Sequence, residues 1–270
     1  MARPVWFVRL IQATFPQRHI VARLTRVPVV GRLLDRWLFE DDDLFYLPKS
    51  QVLAIHQPVE QAGEMALPYA AVEHFIQQAS HHWIMNECIC REAEQCTDYP
   101  RDLGCLFLGE PVLGINPKLG RVVSKEEALE HARRCREAGL VHLIGRNKLD
   151  TAWLGVGPGR KLLTICNCCP CCCLWRILPQ VAPSIGSKVA AMPGVRVTVT
   201  DRCVGCGTCS QGVCFVNAIQ LSHGRAVISS ACRACGRCAD VCPEKAIKVT
   251  MDEGATASLI ERLSSSVDVT

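Results

Sequence analysis

Nineteen cysteines in a chain of 270 residues are the side chains of this sequence best able to do chemistry. They fall in tight runs, of which Cys166-Asn167-Cys168-Cys169-Pro170-Cys171-Cys172-Cys173 is the densest. Close spacing brings several thiolates to one point, which is what a thiophilic metal needs; a disulfide needs two Cβ atoms facing each other at a fixed separation. The odd count and the runs argue against a secreted disulfide scaffold and for a reducing, cytoplasmic setting.

The cysteines nearest the C-terminus repeat. Cys203, Cys206 and Cys209 recur 29 positions later as Cys232, Cys235 and Cys238, and Ala218-Ile219 recurs 28 positions later as Ala246-Ile247, as expected of a duplicated supersecondary unit. The second run continues to Cys242-Pro243 after three residues; the first reaches Cys214 after four and carries Phe215 in place of the proline. Two-residue gaps let three successive thiolates curl around one face of an iron–sulfur cube, and Gly236 permits the tight turn. Zinc also accepts four thiolates, but two interlocked runs favour iron. The pattern resembles the bacterial two-cluster ferredoxins. That resemblance implies two [4Fe-4S] clusters, one on Cys203, Cys206, Cys209 and Cys242 and the other on Cys232, Cys235, Cys238 and Cys214, the fourth cysteine of each run crossing to the other cluster.

Of the remaining cysteines, Cys135 lies on the inner stripe of a helix with Ala128, Ala132 and Ala138 and is read as a packed thiol. Ten are left: Cys88, Cys90, Cys96 and Cys105, then Cys166, Cys168, Cys169, Cys171, Cys172 and Cys173. So many thiols in one domain are costly to ionise or prone to oxidation unless a metal neutralises them, so at least one further iron–sulfur cluster is expected, with ligands from both groups. In an extended segment neighbouring side chains face opposite ways, so Cys168 and Cys169, or Cys171 and Cys172, are expected to serve different sites. Trp83 and Trp175 are candidates to shield such a site from water. His81-His82 is a weaker candidate for a nitrogen ligand, paired histidines at a helix end being more often surface residues. The motifs Cys88-Ile89-Cys90-Arg91, Glu127-Ala128-Leu129, Gly139-Leu140-Val141-His142 and Ile165-Cys166-Asn167-Cys168-Cys169 resemble a group of uncharacterised iron–sulfur proteins of anaerobic microbes. This second resemblance implies [4Fe-4S] binding and names no substrate.

The elements that must position these ligands can be read in outline. Residues 1–39 carry seven arginines, Arg3, Arg9, Arg18, Arg23, Arg26, Arg32 and Arg36, against the single acid Asp35, interleaved with Trp6, Leu10, Leu24, Leu33 and Trp37. This is an amphipathic helical segment broken at Pro16 and Pro28, suited either to docking on an anionic membrane face or an acidic protein, or to packing on the chain's own body. Helix-like spacing runs from Leu67 to Met85, and Ser124-Lys125-Glu126-Glu127 is a capping box opening a helix closed by Gly139, followed by a strand over 140–144. That helix and strand suggest a winged-helix-like unit. The fold class expected is α+β: a basic segment (1–43), a mainly helical cysteine-rich domain (44–175), a linker (176–194) rich in proline and glycine, a ferredoxin module (195–250) with short strands at 195–200, 218–221, 226–229 and 246–250, and a tail (251–270).

Several function classes are disfavoured. No run of about 18 apolar residues is present, and neither a membrane span nor a signal peptide is expected. Gly155-Val156-Gly157-Pro158-Gly159-Arg160-Lys161 lacks the spacing and hydroxyl of a phosphate loop, no dinucleotide fingerprint appears, and a net charge of +4 gives no reason to expect nucleic acid. The leading expectation is a cytoplasmic electron carrier, with membrane association through residues 1–39 as an option, a relay subunit of an anaerobic redox complex with a redox partner protein. The alternatives are an oxidoreductase reducing a disulfide or thiol at its upstream cluster, and a redox-sensing regulator.

Overall fold

In the computed structural model, which describes residues 2–49, 53–54 and 68–270, the two prolines set the course of the N-terminal segment. Helix α1 (Val5–Thr14) gives way to a 3₁₀ turn containing Pro16, then come α2 (Arg18–Leu24) and α3 (Pro28–Leu34), with Pro28 at the first helical position, where a missing N–H costs nothing. The chain then forms β1 (Asp43–Tyr46), β2 (Leu53–Ala54), α4 (Tyr69–Gln78), β3 (His82–Met85), α5 (Ile89–Ala93), β4 (Leu106–Leu108), β5 (Gly120–Val123), α6 (Lys125–Glu137), β6 (Val141–Arg146), α7 (Lys148–Leu154) and β7 (Leu163–Cys168). After it come α8 (Pro183–Gly186), β8 (Val189–Ala191), β9 (Val195–Val199), β10 (Ile219–Ser222), β11 (Arg225–Ile228), α9 (Arg237–Asp240), β12 (Ile247–Met251) and α10 (Ala255–Ser266).

Seven strands make one sheet in the order β5-β3-β4-β7-β6-β1-β8, antiparallel except for the parallel pair β1 and β8. One face packs on α4, α6 and α10 through Val72, Phe75, Ala128, Ala132, Leu259 and Leu263. The other carries Tyr46, Leu143 and Cys168 and faces the ferredoxin-like module. Strand β6 approaches β1 so closely that a Cβ on Gly145 would lie 1.9 Å from the Asp43 carbonyl oxygen, so only glycine fits there. In the module β12 lies between β9, antiparallel, and β2, parallel, while β10 and β11 form a hairpin.

These facts correct five expectations. The cysteine-rich region is organised by a sheet rather than by helices, because hydrophobic runs such as Leu106–Leu108 and Leu163–Ile165 are strands buried on both faces, which periodicity cannot tell from buried helix. Helix α6 and β6 are as anticipated, with the capping box in place: Ser124 Oγ accepts from the Glu127 N–H at 3.2 Å and Glu127 Oε2 from the Ser124 N–H at 3.0 Å. Yet β6 pairs with β7 and β1 in the middle of the sheet, so among the described residues this helix and strand belong to the seven-stranded sheet rather than to a winged-helix-like unit. Residues 176–194 are not a spacer, since β8 completes the sheet edge, and residues 251–270 are not a loose tail, since α10, Val267 and Val269 enter the main core. The helix after Pro68 also ends at Gln78, and Trp83 belongs to β3.

Among the described residues no helix is long and apolar enough to cross a membrane.

Asp42, just before β1, is buried and accepts the Lys148 N–H at 2.6 Å through Oδ1, while Oδ2 has no hydrogen-bond partner among the described residues. Burial, partly offset by that bond, pushes its carboxyl up to about 7. A raised folded value stabilises the protonated form, so this contribution is complete below the ordinary carboxyl range and is lost as pH rises towards about 7, by about 4 kcal/mol at most. Asp42→Asn, which keeps the acceptor oxygen, is expected to raise the denaturation midpoint at pH 8 and to leave it unchanged near pH 4. An equal effect at both values would contradict this assignment.

Candidate iron–sulfur and thiol sites

The two C-terminal runs fold into two thiol-lined cavities. One is lined by Cys203, Cys206, Cys209 and Cys242, with apolar walls from Leu221, Ala226, Ala246 and Ile247. The other is lined by Cys214, Cys232, Cys235 and Cys238, with Phe215, Val216 and Ile219. Each run thus sends its fourth cysteine to the other's cavity. Backbone N–H groups point at the sulfurs: Ala226 to Cys203 at 3.4 Å, Ala246 to Cys242 at 3.3 Å, Ala218 to Cys214 at 3.2 Å and Ala234 to Cys232 at 3.3 Å. Such donors favour the anionic form of sulfur and suit a negatively charged cluster. Gly207 and Gly236 hold the left-handed turns between the second and third cysteines of each run, with φ of +82° and +80°. Burial pushes the Cys238 thiol up to about 12, so it ionises only with a cation at hand. The first cavity opens at the surface, where Cys206 is exposed and Val204 is 66% exposed; the second faces the sheet.

The ten upstream cysteines separate into two groups. Six gather around the ends of β7 and α5. Cys105 Sγ lies 3.7 Å from Cys166 Sγ, and the Tyr46 hydroxyl lies 3.8 Å from Cys168 Sγ and 3.7 Å from Cys173 Sγ. Cys90 bonds Cys88 and feels the charge of Cys173 and Cys105, which joins the remaining pair to the group. The bond from Cys90 pulls the Cys88 thiol down to about 6, and the bond from Cys168 pulls Cys173 down. The donors Cys90 and Cys168 are pushed up, first by those bonds and then by burial. Thiols crowded in so apolar a setting are costly to ionise together, and a multivalent cation that displaced their protons would offset that cost and fill the shared site.

The other four, Cys96, Cys169, Cys171 and Cys172, have all their sulfurs within 4.8 Å of one another. Cys168 and Cys169 fall to different groups, as expected, but Cys171 and Cys172 fall to the same one. Alternation of faces holds for extended chain, but β7 ends at Cys168 and residues 170–172 form a turn, which swings Cys171 and Cys172 to the same point. Alternation does hold inside β7, where Cys166 and Cys168 face one side and Asn167 the other, bonded to His142 at 2.8 Å. Cys135 is buried 3.6 Å from His131 Nε2 and outside both groups. His82 does not approach a thiol; it is buried on β3 and bonds the Ile76 carbonyl at 2.6 Å.

Three side chains to which sequence reasoning gave no role tie these sites together. Arg91, on α5, is fully buried; it donates to the Asn167 carbonyl at 2.7 Å and to that of Leu103, and interacts with Cys88, Cys169 and Cys105, thiols of both upstream groups. Arg237, at the start of α9, is buried and donates to the Cys168 carbonyl, joining the second ferredoxin-like cavity to β7. Tyr46 stacks its ring 4.5 Å from that of Phe215, the residue after Cys214, while its hydroxyl meets Cys168 and Cys173. Only Arg91 carried a signal, as the charge closing the Cys-x-Cys-Arg motif.

Comparison with known proteins agrees with the cysteine pattern. No curated protein and no solved structure matches the chain. Residues 226–248, which hold Cys232, Cys235, Cys238 and Cys242, match the family described as 4Fe-4S binding domain, so the chain carries a ferredoxin-like iron–sulfur domain.

Proposed function

We propose that this protein is an electron relay in which the ferredoxin-like module binds two [4Fe-4S] clusters and exchanges electrons with a further cluster held by Cys88, Cys90, Cys105, Cys166, Cys168 and Cys173. The observation that carries the reading is the position of Tyr46, in contact with Phe215 beside the second cavity at 4.5 Å and with the sulfurs of Cys168 and Cys173 at 3.8 and 3.7 Å. Electrons then pass from a partner protein at the exposed Cys206 edge to the first cluster, to the second, and across Tyr46 to the buried thiols. Six thiols exceed the four that one cubane takes by two, which supports a second reading, reduction of a small disulfide that exchanges with those two thiols and draws its two electrons from the clusters.

Anaerobically purified full-length protein tests both. The relay requires clearly more than the roughly eight irons and eight sulfides of two cubanes. Cys173→Ser should lose the excess while keeping those eight, and the reduced wild type should show magnetic coupling that the variant lacks. Eight irons in both proteins would make the six thiols packing residues. A change in the reduced spectrum on adding a small disulfide would support the catalytic reading, and an unchanged spectrum would count against it.

The exposed face of α1 to α3 gives the relay a location. Ten of the sixteen exposed large apolar side chains among the described residues lie between Trp6 and Trp37, beside the exposed Arg9, Arg23, Arg32 and Arg36. This combination suits an anionic lipid surface, on which the relay would sit without crossing it.

A further inference from the structure

We propose that Cys96, Cys169, Cys171 and Cys172 form a site for one tetrahedrally held zinc ion, separate from every cluster in the chain. The geometry differs from the cubane-type quartets of the same molecule. Among the described residues these are the only four thiols whose sulfurs all fall within 4.8 Å of one another; neither ferredoxin-like quartet is so compact. Cys171 Sγ lies 3.6 Å from Cys96 Sγ and 3.5 Å from Cys172 Sγ. A zinc–sulfur bond of about 2.3 Å in a tetrahedron sets its sulfurs about 3.8 Å apart. A cubane gives each thiolate its own iron at a separate corner and so holds the sulfurs further apart than a shared ion does.

The surroundings suit a structural ion. Residues 94–105 form neither helix nor strand, and such a stretch needs an anchor other than a hydrogen-bond ladder. Cys96 lies in this stretch and the other three thiols lie in the turn after β7, so one ion would pin the loop to the sheet. The Cys172 N–H already donates to Cys169 Sγ at 3.3 Å, as protein N–H groups do to metal-bound thiolates, and Leu103, Cys135 and Leu140 pack against Cys169 and Cys172 and keep water from that side. Zinc has no preferred geometry from its d electrons and tolerates the two adjacent ligands Cys171 and Cys172. A closed four-sulfur site leaves no open position, so the ion would have no catalytic part.

X-ray absorption at the zinc edge and metal analysis of the full-length protein, purified without oxygen and without added zinc, test this. The expected result is one zinc per chain, bound by four sulfurs at about 2.3 Å with no iron neighbour. Cys96→Ser should lose that zinc while keeping its iron, its acid-labile sulfide and the electron paramagnetic signals of the reduced clusters. Absence of zinc from the wild type, or an iron neighbour in its spectrum, would overturn the proposal, as would loss of iron and sulfide together from the variant. The absorption measurement needs no variant to fold, and a zinc count is independent of whether the six buried thiols carry a cluster.

Discussion

Replacing Arg91 by leucine is expected to lower the unfolding free energy by about 3–5 kcal/mol and to shift downward the potential of the cluster proposed on the neighbouring thiols. Arg91 is 0% exposed, and both ends of its guanidinium are used, on the Asn167 and Leu103 carbonyls. Burial disfavours its charge, and the thiols of Cys88, Cys169 and Cys105 more than compensate, holding its ionisation above the ordinary range. Leucine has similar apolar bulk but leaves two buried carbonyls without these donors and removes a buried cation from among these thiols. A reduced cluster carries one more negative charge than an oxidised one, so loss of a nearby cation disfavours reduction. Arg91→Lys separates the two effects. Its point charge should restore most of the potential, while its single nitrogen cannot span both carbonyls, so stability should recover only in part. Denaturant midpoints and redox titrations of the three proteins decide the matter. A leucine variant as stable as the wild type, with an unshifted potential, would remove Arg91 from the site.

How much of this arrangement could be read from the residues depended on how local each signal was. The module's cysteines announce themselves because ligand spacing and turn glycine lie within a few residues, and β9 to β12 begin and end within a residue of their expected limits. The sheet around the upstream thiols was not legible. Its central strands β4, β7, β6 and β1 are adjacent in space but far apart in sequence, and their side chains are apolar on both faces, so the two-residue alternation that marks a half-exposed strand is missing. The three-residue β8 is too short to register as a strand, yet it completes the sheet through Leu44 and Val189. The division of ten thiols into six and four depends on the turn at residues 170–172 and on Arg91 standing between the groups, neither of which spacing reveals.

The N-terminal face yields the other large expected effect. The inner sides of α1 to α3 are tied to the body: Val8, Phe15 and Ala22 are buried, Arg26 donates to the Val181 carbonyl at 3.3 Å and to the Pro179 carbonyl at 2.7 Å, and Lys188 pairs with Asp35 at 2.5 Å. The outer side has no such partners among the described residues, with Trp6 66% and Trp37 69% exposed and no ion pair to Arg9, Arg23, Arg32 or Arg36. Tryptophan settles at the lipid headgroup boundary, and each arginine near an anionic surface adds about 1 kcal/mol, which salt screens. Full-length protein is therefore expected to sediment with phosphatidylglycerol vesicles, to release in high salt, and to ignore phosphatidylcholine vesicles. The double variant Trp6→Ser, Trp37→Ser should bind the anionic vesicles at least about tenfold more weakly without loss of iron, because neither ring supports the core. Absence of sedimentation, or equal binding to both lipids, would remove the membrane from the account, and a dimer that dissociates in the double variant without vesicles present would give this face to a second copy of the chain instead.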